Sequence, residues 1–205
     1  MIVIPLLLSL TIHEWAHAWS AHRLGDDTAR LQGRLTLNPI AHIDLVGTLV
    51  LPLLGIPFGW AKPVPVNPTR FRRGVKMSTG MVLTAAAGPL ANVFLAIVSA
   101  VAFGLVARFA PMSAGSGGLG IATLLTTLTV INVSLALFNL FPIPPLDGSR
   151  VVDGLLPLSW RPQWQSIVRL SPLLLVALIA FGGNIISGPA LYVMGWLGKL
   201  TAAVM

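Results

Sequence analysis

Residues 1–24, which read MIVIPLLLSLTIHEWAHAWSAHRL, decide what kind of fold this chain forms. Residues 2–12 are almost entirely apolar, and the whole stretch is long enough to cross a bilayer as a helix. The same stretch carries His13, Glu14 and His17, although ionisable groups inside a membrane are costly and by default mark functional sites. It therefore predicts a membrane helix that carries a polar site.

The composition extends this interpretation to the whole chain. Of the 205 residues, 55% are hydrophobic and only 9% are charged, whereas soluble domains carry about 25% charged residues. Apolar runs of spanning length recur along the sequence. We expect an all-α polytopic membrane protein, a bundle of about five to six transmembrane helices. Residues 1–205 are expected to form a single domain, with a catalytic core over about residues 1–157 and C-terminal helices over about 166–205.

The charge distribution indicates the surroundings of the protein. The formal net charge is +7, from 13 Lys and Arg against 6 Asp and Glu. These cations lie between apolar runs rather than on one water-exposed face, so we expect the lipid bilayer as a partner and no nucleic acid. The absence of cysteine excludes disulfides, thiolate zinc sites and a thiol nucleophile.

The longer apolar runs predict the spanning helices. Residues 77–107 form one run that is interrupted by Gly88 and Pro89, which favours a single bent helix. Residues 119–141 predict another span after a glycine- and serine-rich turn. Two shorter helices are predicted at the end of the chain, over residues 172–186 and 189–205.

Three other stretches predict structure that does not span. Residues 45–56 are apolar but number only 12 and contain Pro52, which suits a short re-entrant segment. Residues 29–37 (ARLQGRLTL) alternate apolar and polar side chains, the pattern of a half-buried strand, so we expect a small β element at the membrane surface. Residues 60–68 (WAKPVPVNP) must be extended, because their prolines forbid a helix.

The residues His13-Glu-Trp-Ala-His17 form an H-E-x-x-H motif. On a helix the two histidines stack on one face at positions i and i+4, so both imidazoles can reach one zinc ion. Glu14, beside them, can meet a water on that metal. A chance occurrence is a poor explanation, since Glu14 is the only glutamate and the chain has 4 histidines.

A catalytic zinc ion takes three protein ligands and keeps a fourth position open. A second glutamate is not available as the third ligand, and position 23, six residues after His17, is an arginine. The remaining candidates are two histidines and the five aspartates: His22, His42, Asp26, Asp27, Asp44, Asp147 and Asp153.

Topology favours Asp147 among these candidates. If residues 45–56 do not cross, residues 23–76 and 142–169 share one side and carry 8 and 3 Lys or Arg, which the positive-inside rule puts in the cytoplasm. The histidines of the motif then lie about 18 and 24 Å along an apolar core of about 30 Å. The span over residues 119–141 runs the same way and delivers Asp147 to the same depth, whereas Asp26 and Asp27 are expected to be surface charges.

These motifs together resemble the site-2 protease family of intramembrane zinc metalloproteases. The resemblance rests on two motifs, the H-E-x-x-H motif and residues 139–148 (NLFPIPPLDG). In the family, two such motifs occur in this order and bind one metal ion together. Residues 87–92 (AGPLAN) and 59–68 (GWAKPVPVNP) also resemble the compact bacterial branch. The chain differs from better-known members in having no PDZ or CBS domain, and its start 12 residues before His13 predicts that the extra first helix of many members is missing.

The resemblance implies a role for each residue. His13, His17 and Asp147 match the ligands of one Zn²⁺ per chain, and Glu14 matches the catalytic acid and base. Asn139 matches a residue that helps to bind the scissile carbonyl or its oxyanion; an interhelical hydrogen bond is the alternative. For Asn92 we expect such a packing role.

Three further polar residues are given structural roles. We expect His42 and Asp44 to cap loops, and His22 to lie at the membrane interface.

The function expected from this pattern is a zinc-dependent endopeptidase of the plasma membrane. It would cleave transmembrane segments of membrane proteins near the cytoplasmic side. The alternative is a membrane metal carrier with a His and Asp transit site, but a carrier has no need of a glutamate between its histidines.

A further expectation concerns how substrate is held. An unwound substrate leaves costly unpaired amides in lipid, and an enzyme strand edge would satisfy them. Residues 29–37 are the first candidate for that edge. Residues 62–67, with their prolines, are the second.

Overall fold

The computed structural model describes residues 2–54, 59–109 and 120–205, and within them it is helical with no strand. The α-helices are α1 (Val3–Arg23), α2 (Thr28–Leu31), α3 (Leu51–Leu53), α4 (Met77–Phe109), α5 (Ile121–Asn139), α6 (Asp147–Leu155), α7 (Arg161–Arg169) and α8 (Ser171–Val204). Short 3₁₀ turns and one π-helical turn lie between them: Pro39–His42, Leu45–Val50, Pro68–Arg70 and Leu158–Trp160.

Helix α4 is the centre of the bundle and packs against α1, α5, α6 and α8. Its buried positions are mostly small residues, including Ala96 and Ala100, which pack with Val133 of α5 and Leu197 of α8. Small residues allow helix backbones to approach closely where no hydrophobic drive between helices exists. The single helix predicted across Gly88 and Pro89 is confirmed.

Three described helices are long and apolar enough to cross a membrane: Met77–Phe109, Ile121–Asn139 and Ser171–Val204. The predicted count of about five to six spans is not confirmed within the described residues. Helix α1 is not among the three, because it devotes buried positions to His13, Glu14 and His17 rather than to apolar side chains.

The end of the chain differs from the prediction of two short helices. Helix α8 runs without a break for 34 residues and contains Pro189 in its interior. Proline removes one hydrogen bond but does not end a membrane helix whose neighbours and environment hold it. The helix is about 51 Å long, more than the apolar core of a bilayer requires.

The strand predicted over residues 29–37 is wrong. Residues 28–31 form α2, residues 32 and 33 turn, and the rest of the stretch is irregular. Burial does not follow the alternation: Leu31 is 70% exposed, whereas Arg34 is buried at 7% and donates to the carbonyl of Lys62.

The predicted re-entrant segment returns to the place where it starts. The Trp60 amide donates to the Gly47 carbonyl at 3.3 Å, and the Thr48 hydroxyl donates to the Trp60 carbonyl at 2.8 Å. Twelve intervening residues divided between an outward and a return path reach at most about 20 Å, short of the apolar core of about 30 Å. Residues 55 and 56 of this segment, and the predicted turn at residues 113–118, lie outside the described residues.

Candidate metal centre

His13 and His17 lie one turn apart on the face of α1 that meets α4, and Asp147 is the first residue of α6. The two Nε2 atoms are 3.1 Å apart, and they lie 3.1 and 3.2 Å from Oδ2 of Asp147. All three side chains are buried, at 4%, 7% and 6% exposure. The structure therefore brings together the three residues that the sequence selected as metal ligands, although 130 residues separate His17 from Asp147.

The hydrogen bonds made by Nδ1 of the two imidazoles determine whether Nε2 can offer a lone pair. Nδ1 of His13 bonds the side-chain oxygen of Asn92 at 2.6 Å, and Nδ1 of His17 bonds the carbonyl of Thr84 at 2.7 Å. Because amide and carbonyl oxygens only accept, both Nδ1 atoms carry hydrogen. In its neutral form, each ring therefore directs the lone pair of Nε2 at the other ring and at Asp147.

This donor set fits a zinc ion. Oδ2 of Asp147 is buried and receives no conventional hydrogen bond, so it faces the two Nε2 atoms in an arrangement that a bound cation would stabilise. Zinc holds histidine nitrogen and carboxylate oxygen at about 2.0–2.2 Å, which places neighbouring ligand atoms of a tetrahedral site about 3.3–3.5 Å apart. The observed separations are close to that value.

Glycines make this convergence possible on both sides. A Cβ added to Gly88 of α4 would lie 2.4 Å from Nε2 of His17 and 2.6 Å from Cε1 of His13, so the α4 backbone passes directly against both rings. A Cβ on Gly148 would lie within 2.5 Å of the carbonyl oxygens of Leu140 and Phe141. Only glycine therefore lets α6 start close enough to the end of α5 to present Asp147.

Glu14 occupies the position beside His13 and is buried at 9% exposure. Its Oε2 accepts a hydrogen bond from the Val64 amide at 2.9 Å. Val64 belongs to the stretch of residues 59–67, which contains no helix, as its prolines predicted. The extended stretch, rather than the predicted strand, is thus the segment that lies against the candidate acid and base.

Among the described residues, no observed hydrogen bond joins the Asn139 side chain to the cluster. It is the last residue of α5 and is half-buried, and its amide donates to the Leu135 carbonyl at 3.0 Å. That bond stays within its own helix, so neither the oxyanion role nor the interhelical alternative has a counterpart in the hydrogen bonds seen.

The other third-ligand candidates have different partners. Asp26 was expected at the surface, but it is fully buried and accepts from the amides of Thr28 and Asn67, so that prediction is wrong. A carboxylate that receives backbone donors can be buried, and it ties the end of α1 to the extended stretch. Asp27 is partly exposed and pairs with His22 at 2.6 Å.

Two further predictions concern loop positions. Asp44 accepts from the amides of Val46 and Gly47, which confirms its capping role. His42 is buried at 1% and Nε2 contacts the Thr36 carbonyl at 2.8 Å, so it too serves the loop. Asp153 is exposed on α6 and lies outside the His and Asp cluster.

Sequence reasoning missed several residues that support the site. Asn92 makes the interhelical hydrogen bonds expected of it, but the sequence did not identify its partners, which are His13 of α1 and Asn132 of α5, the latter at 2.6 Å. The Thr84 carbonyl and the Val64 amide are backbone groups that no motif identifies. An asparagine inside an apolar span was the one available signal, because polar groups in spans are costly.

Comparison with known proteins shows what the chain is similar to. A family model described as Peptidase family M50 matches residues 104–181, which include Asp147 but not α1. YwhC of Bacillus subtilis, described as a candidate zinc metalloprotease, is 42% identical over 156 residues, 76% of this chain and 69% of that protein.

Two mycobacterial proteins give the same result. Rip2 of Mycobacterium tuberculosis H37Rv, also described as a candidate zinc metalloprotease, is 30% identical over 205 residues, 98% of this chain and 74% of that protein. Rip2 of Mycolicibacterium smegmatis is 31% identical over 153 residues, 75% of this chain and 56% of that protein. No solved structure matches the chain.

Proposed function

Because the chain belongs to Peptidase family M50, the site-2 protease family of membrane zinc metalloproteases, we propose that it is an intramembrane endopeptidase that cleaves transmembrane segments of membrane proteins. The observation that carries this proposal is the convergence of His13, His17 and Asp147, with Glu14 beside them. The substrate partner would be a transmembrane protein in the surrounding bilayer.

In this proposal His13, His17 and Asp147 hold one Zn²⁺ per chain. A zinc ion bound there would polarise the scissile carbonyl and lower the pKa of a bound water. The residues themselves fix the position: α1 supplies the two imidazoles, and α6, which is distant from α1 in sequence, supplies the carboxylate. Burial of all three ligands excludes bulk water from the charged groups.

Glu14 is the proposed acid and base. It accepts a proton from the attacking water and returns it to the leaving amine nitrogen. The Val64 amide holds one of its carboxylate oxygens at 2.9 Å, which fixes the orientation of the side chain.

Asn139 is proposed to donate to the oxyanion or the scissile carbonyl. Its amide must then exchange the bond to the Leu135 carbonyl for one to the substrate. A half-buried side chain at the last residue of a helix has the freedom to make that exchange.

Helix α4 supports a location within the membrane. The α4 groups that contact the histidines belong to Thr84, Gly88 and Asn92, and α4 is a candidate span that begins at Met77. At 1.5 Å per residue, these groups lie about 10–23 Å from the start of the helix. We therefore place the site inside the apolar layer, with α1 as an additional span whose polar side chains face inward.

Charge distribution supports the cytoplasmic orientation. With α4, α5 and α8 crossing in turn, residues 23–76 and 140–170 share one side, and they hold 8 and 3 of the 13 Lys and Arg. The positive-inside rule assigns that side to the cytoplasm. Asp147 lies on the same side of the bundle, so cleavage is proposed near the cytoplasmic surface of the plasma membrane.

The carrier alternative is not favoured. A transit site would release its metal, whereas here glycines hold α4 and α6 against the ligands, and a backbone amide orients Glu14 beside them.

The test is cleavage of a transmembrane peptide by the purified chain in detergent. We expect turnover that stops with a chelator and returns with zinc. Glu14→Gln should keep the zinc and lower turnover by about 10²–10⁴-fold, because it removes the base and preserves the volume. Asp153→Asn is the matched control, since it removes an exposed carboxylate outside the cluster.

Two results would contradict the proposal. Turnover that survives in Glu14→Gln would remove Glu14 from the mechanism. A wild-type protein that moves zinc across vesicle membranes without cleaving peptide would favour the carrier.

A further inference from the structure

A chain of buried amides connects α5 to the first histidine of the metal centre. Nδ1 of His13 bonds Oδ1 of Asn92 at 2.6 Å, and Nδ2 of Asn92 donates to Oδ1 of Asn132 at 2.6 Å. Nδ2 of Asn132 donates to the Leu128 carbonyl at 2.8 Å. Asn92, Asn132 and the adjacent Ser9 are fully buried, at 0% exposure. We call the side chains of Asn132 and Asn92 the amide relay.

The far end of the relay has only one possible orientation. The Leu128 carbonyl can only accept, so the atom of Asn132 that faces it must be nitrogen. Ser9 gives its hydroxyl hydrogen to the Pro5 carbonyl at 2.7 Å. Its oxygen must therefore accept from Nδ2 of Asn132, at 2.8 Å. Two independent acceptors thus turn Oδ1 of Asn132 toward Asn92.

This orientation passes along the relay to His13. Because Oδ1 of Asn132 only accepts, Asn92 must present its Nδ2, which also points to the Ser9 carbonyl at 3.4 Å. Oδ1 of Asn92 is then left for His13 and requires hydrogen on Nδ1 of the ring. The lone pair of Nε2 consequently faces His17 and Asp147. A backbone carbonyl on α5 thereby selects the metal-binding tautomer of a histidine on α1.

The two histidines differ in how this selection is made. His17 is oriented directly by the Thr84 carbonyl of the neighbouring helix, whereas His13 depends on two side chains that could flip if they were not held. Ligand histidines in zinc sites often donate to a carboxylate. Here the partner is neutral, so the relay fixes orientation without adding a buried charge.

We propose that Asn132, which touches neither metal nor substrate, is a positioning residue that acts through Asn92 to hold His13 in the tautomer and orientation that bind zinc. This inference rests on the proposed function in one respect, that His13 is a zinc ligand. It assigns to α5 a role in metal binding that is separate from Asn139 at its end.

The first test measures zinc affinity of the metal-free protein by competition with a chromogenic chelator. Asn132→Leu removes every bond of the relay at that position and keeps the approximate volume, so we expect a 10- to 100-fold weaker affinity. Thr129→Val is the matched control: Thr129 is buried on the same helix, and its hydroxyl donates to the Leu125 carbonyl outside the relay. We expect Thr129→Val to bind zinc within about twofold of wild type.

A double-mutant cycle separates positioning from a general loss of packing. Asn92→Leu should weaken zinc binding at least as much as Asn132→Leu, because it removes the direct partner of His13. If Asn132 acts through Asn92, the variant with both substitutions should bind zinc no more weakly than Asn92→Leu alone. Additive losses would show that Asn132 acts independently and would overturn the inference.

A second variant keeps the test valid if Asn132→Leu does not fold. In Asn132→Ser the hydroxyl can still donate to the Leu128 carbonyl four residues earlier, but it is too short to reach Asn92. The same loss of affinity is expected. If Asp147→Ala abolishes zinc binding while both Asn132 variants retain wild-type affinity, the relay is wrong and the proposed function stands. If wild type binds no zinc at all, the proposed function falls, and this inference falls with it.

Discussion

At the scale of single residues, the candidate metal centre depends on two glycines without a Cβ atom and on which ring nitrogen of each histidine is free to bind a metal. Gly88 and Gly148 allow close backbone approach, because any Cβ there would overlap a ligand ring or a backbone carbonyl. His13 and His17 use Nδ1 for fixed acceptors, which leaves Nε2 for a metal. At this scale, the atoms that already make hydrogen bonds determine which atoms remain to bind a metal.

The assignment of Asp147 as third ligand gives a residue-scale prediction. Asp147→Ala should lower the zinc content of purified protein from about one ion per chain to a small fraction, because two imidazoles alone leave the site one ligand short. The measurement is elemental analysis after gel filtration. His22→Ala is the matched control, since His22 is partly exposed and pairs with Asp27. Full zinc content in Asp147→Ala would refute the assignment.

At the scale of elements, helices place the ligands and connecting segments hold them. Helix α1 sets the spacing of the histidines, and the short loop before α6 delivers Asp147. The segment that returns at Trp60 brings Val64 to Glu14, and Arg34 and Asp26 hold this stretch through Lys62 and Asn67. Segments without regular structure therefore contribute directly to the site.

The re-entrant geometry leads to an element-scale prediction about sidedness. Cysteines placed at Arg30 and Arg72, which flank the segment and are exposed, should be labelled from the same, cytoplasmic, side by an impermeant reagent. The cysteine-free sequence gives a clean background. Arg34 is unsuitable as a reporter because it is buried at 7%.

A cysteine at Arg108, at the far end of α4, serves as the reference for the opposite side. It should be labelled only from outside the cell. Labelling of positions 30 and 72 from different sides would mean that the segment between them crosses, and it would remove the topological support for Asp147.

At the scale of the whole molecule, the metal centre joins parts of the chain that are distant in sequence. Ligands from α1 and α6 meet against α4, and the relay adds α5. A metal that binds only the folded state stabilises it by an amount that grows with the logarithm of the free metal concentration above Kd. A bound zinc ion should therefore increase the free energy of unfolding of the whole bundle.

This role predicts a change in thermal stability. Zinc at a hundredfold excess over its Kd adds about 2.7 kcal/mol to the free energy of unfolding, which for a chain of this size raises Tm by roughly 5–10 °C. The measurement is tryptophan fluorescence during heating, in detergent, with chelator or with zinc. Asp147→Ala should show no difference between the two conditions, and an equal shift in that variant would assign the effect to zinc binding elsewhere.

The sequence by itself determined the class of the protein and the chemistry of its centre. Composition excludes a soluble fold, because few polar residues are available to cover a surface, and i to i+4 spacing on a helix places His13 and His17 on one face. Alternating topology then matched Asp147 to their depth. The structure brings Asp147 to the two histidines as expected, because i to i+4 periodicity is a local property, while the alternation of spans and the bilayer depth stay predictions.

Only the tertiary structure decided which polar groups support that centre. The period-two pattern of residues 29–37 gives no strand, because Arg34 is buried against the Lys62 carbonyl while Leu31 is exposed. Asn92 and Asn132 lie 40 residues apart, and only the crossing of α4 and α5 brings their amides to 2.6 Å. A short stretch of sequence shows that a residue is polar. Its hydrogen-bond partner depends on how the helices pack, and that packing cannot be read from a short stretch of sequence.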